Sequence, residues 1–323
     1  VIGWYIEKLV LRSILRVTML RRSCLAWLAS LILLSPLTAC NSNNSQDSAD
    51  LDTEPLTVGA IPDQDPEKVQ RLYTRLSDYL EAELGVPVVY EPVTDYAAAV
   101  TAFKVGDLDL VWFGALTGGQ ARLQVSGAEA IAQRPIDEQF HSVFIANTDS
   151  GLTAIEDMAA LSQLKGRSFT FGSESSTSGR LMPEYFLNQA GVAIEDFKGE
   201  AGFSGNHDAT IKLVEAGTYE VGALNEQVWQ SRLQAGAVNE NKVQVIWRTP
   251  AYYNYHWVIH PSVEDRYGAG FIDEVQGAIL DLDATVAAEK DILDLFGAEG
   301  FIETRNENYA QIEAIGRKIG KIQ

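Results

Sequence analysis

Residues 171–183 read FGSESSTSGRLMP. The run RSFTF (167–171) leads in with the alternation of a strand, and PEYFLNQAG (183–191) leads out with the pattern of a helix. Between them stand four consecutive hydroxyl residues, Ser175, Ser176, Thr177 and Ser178, framed by Gly172 and Gly179. A helix start leaves backbone N–H groups without intrahelical partners and carries partial positive charge. Hydroxyls and glycines there make an anion site that needs no lysine. A serine-rich capping turn accounts equally well for the stretch by itself. Gly172 is expected to supply a turn that a Cβ resists. Pro183 would remove a backbone bond from a helix begun at Ser178, so an irregular turn is expected over 178–182, with the regular helix from Pro183.

The same strand-to-helix step recurs along the chain. LTVGAI (56–61), VPVVYEPV (86–93), LDLVWFG (108–114), SVFIANT (142–148), YEVGALN (219–225), VQVIW (243–247) and HWVIH (256–260) read as strands with helical segments between them. The first helix is the clearest: Asp65 as N-cap, Pro66 at its first position, Val69, Leu72, Tyr73, Leu76, Leu80 and Leu84 on one face, and Gly85 at its end. Repeated βα units predict an α/β fold of mainly parallel sheets flanked by helices. The globular part is long for one such sheet, which predicts two lobes. Lobe 1 is expected over 55–146 plus 250–323, and lobe 2 over 147–249. The C-terminal part is helical in pattern, with amphipathic runs through 271–282 and 306–319.

The 323 residues hold 25 Lys+Arg against 44 Asp+Glu, a net charge of −19. That balance excludes a nucleic-acid partner, because no basic footprint is present to engage phosphates. Near the N-terminus, Met19-Leu20-Arg21-Arg22 is a short basic segment. The apolar run from Cys24 to Leu34 is too short to span a bilayer. Leu37-Thr38-Ala39-Cys40 follows and resembles a bacterial lipoprotein signal, so residues 1–39 are expected to be an export signal, with 1–18 an over-extended start. Cys40 is then the lipidation site, and NSNNSQDSADLDTE (41–54) a disordered tether. A membrane anchor through that lipid and a location on the periplasmic side of the membrane are implied. With Cys40 as its lone cysteine, the mature chain has no disulfide framework.

Other clusters carry polar chemistry. GFSGNHDAT (202–210) places His207 and Asp208 at a helix start, as an oxyanion donor or as a surface capping pair. His207 is expected to matter most where its imidazole is protonated. YEVGALNEQVW (219–229) runs a strand into Asn225-Glu226, at a strand end of the kind that binds ligands in open α/β sheets. TPAYYNYHW (249–257), Tyr96 at a helix start and Phe113 at a strand end add aromatic candidates, each of which core packing also explains. No G-x-S-x-G, G-x-x-x-x-G-K-[ST] or G-x-G-x-x-G is present, which weakens a serine hydrolase and nucleotide binding. His256 and His260 lie about 13 Å apart on a strand, too far for one zinc. No metal or cofactor is expected.

Seven stretches taken in order, DYAAAV, DLVWFG, HSVFIA, SSTSGRLMPEYF, SGNHDAT, ALNEQVW and TPAYYNYHW, resemble the periplasmic phosphonate/phosphite-binding proteins of ABC transporters. The resemblance runs from about Leu56 to Asp283 and comes near a branch labelled as selenate binders. It implies a two-lobed periplasmic-binding-protein fold of type II-like form, with a small tetrahedral oxyanion in the interlobe cleft. It also implies no enzymatic activity, a monomer, and permease and ATPase subunits as partners; a ligand sensor of the same fold is the alternative. By the same resemblance, Tyr96, Phe113, Phe140, Ser176, Thr177, Ser178, His207, Glu226, Asn254 and Tyr255 are the ligand-binding candidates. Phe140 stands where some relatives have tyrosine. Around Asn254-Tyr255 relatives place an aspartate that can recognise an amine. No carboxylate stands there in this chain, which disfavours an aminoalkyl phosphonate.

Overall fold

The computed structural model describes residues 54–323. The expected export signal, Cys40 and the tether as far as residue 53 lie outside the described residues. The rest forms two sheets. The first holds, in spatial order, β11 (Ile302–Glu303), β4 (Glu129–Gln133), β10 (His256–Ile259), β3 (Leu110–Phe113), β1 (Leu56–Ala60) and β2 (Val88–Tyr90). The second holds β7 (Gly202–Phe203), β6 (Phe169–Phe171), β8 (Val221–Asn225), β5 (Ser142–Asn147) and β9 (Val243–Arg248).

Helices follow the strands as the βα pattern requires. They are α1 (Pro66–Leu84), α2 (Tyr96–Val105), α3 (Ala115–Gln124), α4 (Met182–Gln189), α5 (His207–Glu215) and α6 (Glu226–Gln234), then α7 (Ser262–Tyr267), α8 (Phe271–Leu280), α9 (Ala287–Phe296) and α10 (Ala310–Lys318) at the C-terminal end. In α1 the Glu67 N–H donates to the Asp65 side chain at 3.1 Å, and Gly85 closes the helix at φ 66°. Val69, Leu72, Tyr73, Leu76 and Leu80 are buried, the stripe read from the sequence. The strand β3 is buried along its whole length, as an apolar run without alternation requires.

The topology departs from a plain parallel sheet at three strands, the edge strand β11 among them, which runs antiparallel to β4. β5 and β10 each run antiparallel to both of their neighbours. Each follows a segment in which the chain crosses from one sheet to the other and re-enters reversed. The strand 142–147 therefore belongs to the second sheet, where β8 and β9 flank it. The sequence boundary, which kept 142–146 in lobe 1, falls too late. Strand character is local, but sheet membership is set by partners far along the chain.

The two crossing segments run side by side. The Phe140 and Tyr252 backbones exchange N–H to C=O bonds of 2.9 and 3.0 Å. Beside them lies a buried ion pair, with Arg134 Nε 2.6 Å and Nη2 2.9 Å from the two carboxylate oxygens of Asp137. The same carboxylate accepts the Tyr255 N–H at 3.2 Å. Arg134 also donates to the Phe296 carbonyl at 2.6 Å.

Candidate functional site

The hydroxyl stretch sits where β6 hands over to α4. Residues Thr177–Leu181 form a wide π-type turn, and α4 takes over at Met182, one residue before Pro183. The irregular turn expected over 178–182 is present, shifted one residue earlier at both ends. Ser176 caps it, its Oγ accepting the Gly179 N–H at 2.9 Å. The two glycines serve close approach instead of turning the chain. The Gly172 N–H donates to the Gly179 carbonyl at 2.9 Å. A Cβ on Gly179 would stand 3.1 Å from Gly172 Cα and 3.2 Å from His207 Cε1. Any side chain there would push the loop off the imidazole.

Donors converge on this loop from both sheets. From the first come Tyr96, at the start of α2, and the N-terminus of α3, which has no side-chain cap of its own. There the Leu116 N–H donates to Thr177 Oγ1 at 2.9 Å, and the Ala115 N–H to Asn254 Oδ1 at 3.3 Å. Thr177 thus bonds across from one sheet's loop to the other sheet's helix. From the second sheet comes His207, fully buried at the start of α5 behind the cap Asn206. The Asn225 backbone N–H donates to His207 Nδ1 at 3.4 Å. An N–H can only donate, so in the neutral ring the proton is on Nε2. That atom lies 3.5 Å from Ser178 Oγ and 3.4 Å from the Tyr255 hydroxyl. Burial holds the imidazole down to about 4, so it donates as a neutral group through the physiological range. The expected dependence on a protonated imidazole is therefore corrected.

Two buried donors in this cluster have no hydrogen-bond partner among the described residues, the Tyr96 hydroxyl and the Asn254 side-chain amide nitrogen. Buried polar groups are satisfied in the great majority of cases, and exceptions gathered at one place need a reason. Here the exceptions, the Ser178 hydroxyl and His207 Nε2 gather within one small volume, and all are neutral. Arg180, the one cation in the loop, is turned away: it pairs with Glu184 and lies 4.3 Å over the Phe171 ring.

A family model described as the periplasmic, phosphonate substrate-binding protein of ABC transporters matches residues 58–309. The chain belongs to that family. This phosphonate-family protein is 51% identical over 269 residues to "Probable ABC transporter phosphite binding protein PhnD1" of Prochlorococcus marinus (strain MIT 9301), covering 83% of this chain and 91% of the relative. The solved structure of PhnD1 with methylphosphonate superposes with a TM-score of 0.82, at 50% identity, over 84% of this chain and 100% of that one. A binding component of a Pseudomonas aeruginosa phosphonate transporter, at 20% identity and a TM-score of 0.72, covers 84% of this chain and 87% of its own and shares the fold. The protein is thus a periplasmic substrate-binding protein of an ABC transporter, with the two-sheet fold of its class.

Of the residues singled out from the sequence of this binding protein, Tyr96, Ser176, Thr177, Ser178, His207, Asn254 and Tyr255 come together in the donor cluster. Phe140 packs edge-on against Tyr255 with ring centroids 5.5 Å apart. Phe113 packs against Phe103 at 5.8 Å inside the first sheet's core. Glu226 does not join them. It is the first residue of α6, and its carboxylate accepts from Arg248 Nε at 2.6 Å and Nη2 at 2.8 Å. The residue before it, Asn225, faces the cluster, its Nδ2 donating to the Tyr255 hydroxyl at 3.1 Å.

Sequence reasoning missed Asp63. It lies in the loop between β1 and α1, where its carbonyl accepts the His207 N–H at 3.0 Å and it lines the same cavity as Tyr255. Burial pushes its carboxyl up to about 6, against the pull of the Tyr255 hydroxyl and of Lys68 and Arg134. A cavity of about 280 Å³ is walled by Asp63, Lys68, Trp112, Arg134, Asn225 and Tyr255. It shares Asp63, Asn225 and Tyr255 with the donor cluster, while Ser176, Thr177, Ser178 and His207 are not part of its lining.

Proposed function

We propose that this protein captures a small tetrahedral phosphorus oxyanion such as phosphite, methylphosphonate or phosphate, closes its two lobes on it, and delivers it to an ABC permease. The observation that carries this reading is the gathering of buried, neutral donors between the sheets, two of them without a hydrogen-bond partner among the described residues. A strongly acidic chain attracts an anion by fixed dipoles and hydroxyls, and those donors come from both sheets, so an oxyanion between them bridges the lobes. The likeness to PhnD1 supports phosphite and methylphosphonate in particular. Ligand at a hundredfold over its Kd is expected to add about 2.7 kcal/mol to stability. A thermal-shift screen of phosphite, methylphosphonate, phosphate, sulfate and selenate reads this directly. No shift with any of the three phosphorus anions sinks the reading.

Membrane attachment belongs to the same proposal. A lipid on Cys40 would hold the receptor beside its permease, and Cys40→Ser is expected to move the protein from the membrane fraction to the soluble one with ligand affinity unchanged. Persistence of Cys40→Ser in the membrane fraction would exclude this anchor.

A further inference from the structure

His207 and Asp208 stand side by side at the start of α5 but serve different neighbours. The His207 ring turns to Ser178 and Tyr255. The carboxylate of Asp208, a buried residue, bonds among the described residues to Arg232 and to the Asp65 backbone. Arg232 forks onto it through Nε to Oδ1 and through Nη2 to Oδ2, the latter at 2.8 Å. Oδ2 also accepts the Asp65 N–H at 2.8 Å, across 143 residues. One residue earlier, the His207 N–H donates to the Asp63 carbonyl at 3.0 Å. The start of α5 is thus tied twice to the loop that leaves β1.

These ties join the two sheets. Asp208 and Arg232 belong to α5 and α6, which precede and follow β8 of the second sheet, whereas Asp65 ends the loop after β1 of the first. The Arg232 fork lies on the second sheet's side and would survive a separation of the sheets. What the carboxylate would lose is the Asp65 N–H, and hydrogen bonds to ionised acceptors are the strong ones. We propose that Asp208 is a latch of the closed protein: fixed by Arg232, it grips the loop after β1 through the Asp65 N–H and slows the release of an oxyanion held by its neighbour His207. Asp208 is a positioning residue and touches no ligand. The inference rests on the capture and closure reading above and adds a residue that keeps the cleft shut.

A latch and a brace act on different rates. Ligand meets the open protein, where the latch is unmade, so association is untouched, while release needs the latch broken. A residue that merely braced α5 against α6 would lower stability without separating the two rates.

Stopped-flow binding of phosphite and of methylphosphonate tests this in two pairs of variants. Asp65 has φ −54°, a value proline adopts. Asp65→Pro deletes the N–H and Asp65→Ala keeps it, while both lose the same charge and the same helix cap. In the second pair, Asp208→Asn leaves an oxygen for the Asp65 N–H and Asp208→Ala leaves none, while both lose the same charge. Dissociation is expected to be about tenfold or more faster in Asp65→Pro than in Asp65→Ala, and in Asp208→Ala than in Asp208→Asn, with association alike inside each pair. Only folded protein gives a binding signal, so either pair decides if a member of the other fails to fold. Equal dissociation rates within the pairs overturn the latch and leave oxyanion capture standing. Affinity lost through slower association overturns it as well, because a brace has then been removed. A wild type that binds phosphite with no change of its radius of gyration in small-angle scattering removes closure, and the latch with it. A wild type that binds no phosphorus anion removes the reading beneath both.

Discussion

Arg134→Met is expected to lower folding stability by about 3–5 kcal/mol, because it strands the buried carboxylate of Asp137 without its cation. The side chain of Asp137 is fully buried and that of Arg134 nearly so. The fork is bidentate, and the guanidinium also lies 5.4 Å over the Trp112 ring and 5.3 Å over the Tyr255 ring. The pair stands where the chain first crosses between sheets, and Asp137 also accepts the Tyr255 N–H and, through its carbonyl, the Asn254 N–H. Its loss therefore loosens both crossings at once. Urea melts of the two proteins measure the effect. A difference below about 1 kcal/mol would show that water or a shifted side chain satisfies Asp137, and that the pair does not set the crossing.

His207→Ala is expected to weaken oxyanion binding by about 10- to 150-fold, the range for losing a hydrogen bond to a charged acceptor. The loss should be the same at about pH 5.5 as at about pH 8, since the buried ring is neutral in both. Stability carries the pH dependence instead. The ring titrates near 4 in the fold and near its ordinary 6.5 when unfolded. Its contribution is whole above pH 6.5 and is lost as pH falls toward 4, about 3 kcal/mol in all. Asp63 works in the opposite sense. Its carboxyl is raised to about 6 from 3.8, so its burial cost is present above pH 6 and is relieved as pH falls. Together the two groups flatten the acid side of the wild-type stability curve. His207→Ala removes one of them, and relative to wild type the variant should gain stability from about pH 6.5 down to about pH 4. Parallel denaturation curves for both proteins across that range would refute the buried neutral imidazole.

The sequence by itself determined what depends on neighbours within a few residues. The alternation of βα units follows from hydrophobic periods of two and 3.6. The first helix follows from Asp65, Pro66 and Gly85. The turn over 177–181 follows from Pro183. The donor loop was legible for the same reason, since hydroxyls at a strand-to-helix step are a local pattern, and the order of seven motifs made its family legible too. What only the tertiary structure decided was which distant groups meet. The strand 142–147 lies in the second sheet because β8 and β9 flank it. Glu226 is drawn from the cluster by Arg248, 22 residues on. Thr177 bonds to Leu116 across 61 residues, and His207 approaches Tyr255 across 48. Gly172 and Gly179 serve close packing around His207, a need visible only once the imidazole is in place. Asp63 reads in sequence as one more acid ahead of a helix. Its surroundings make it an unpaired buried carboxylate, because burial and pairing belong to the folded neighbourhood and not to the residue.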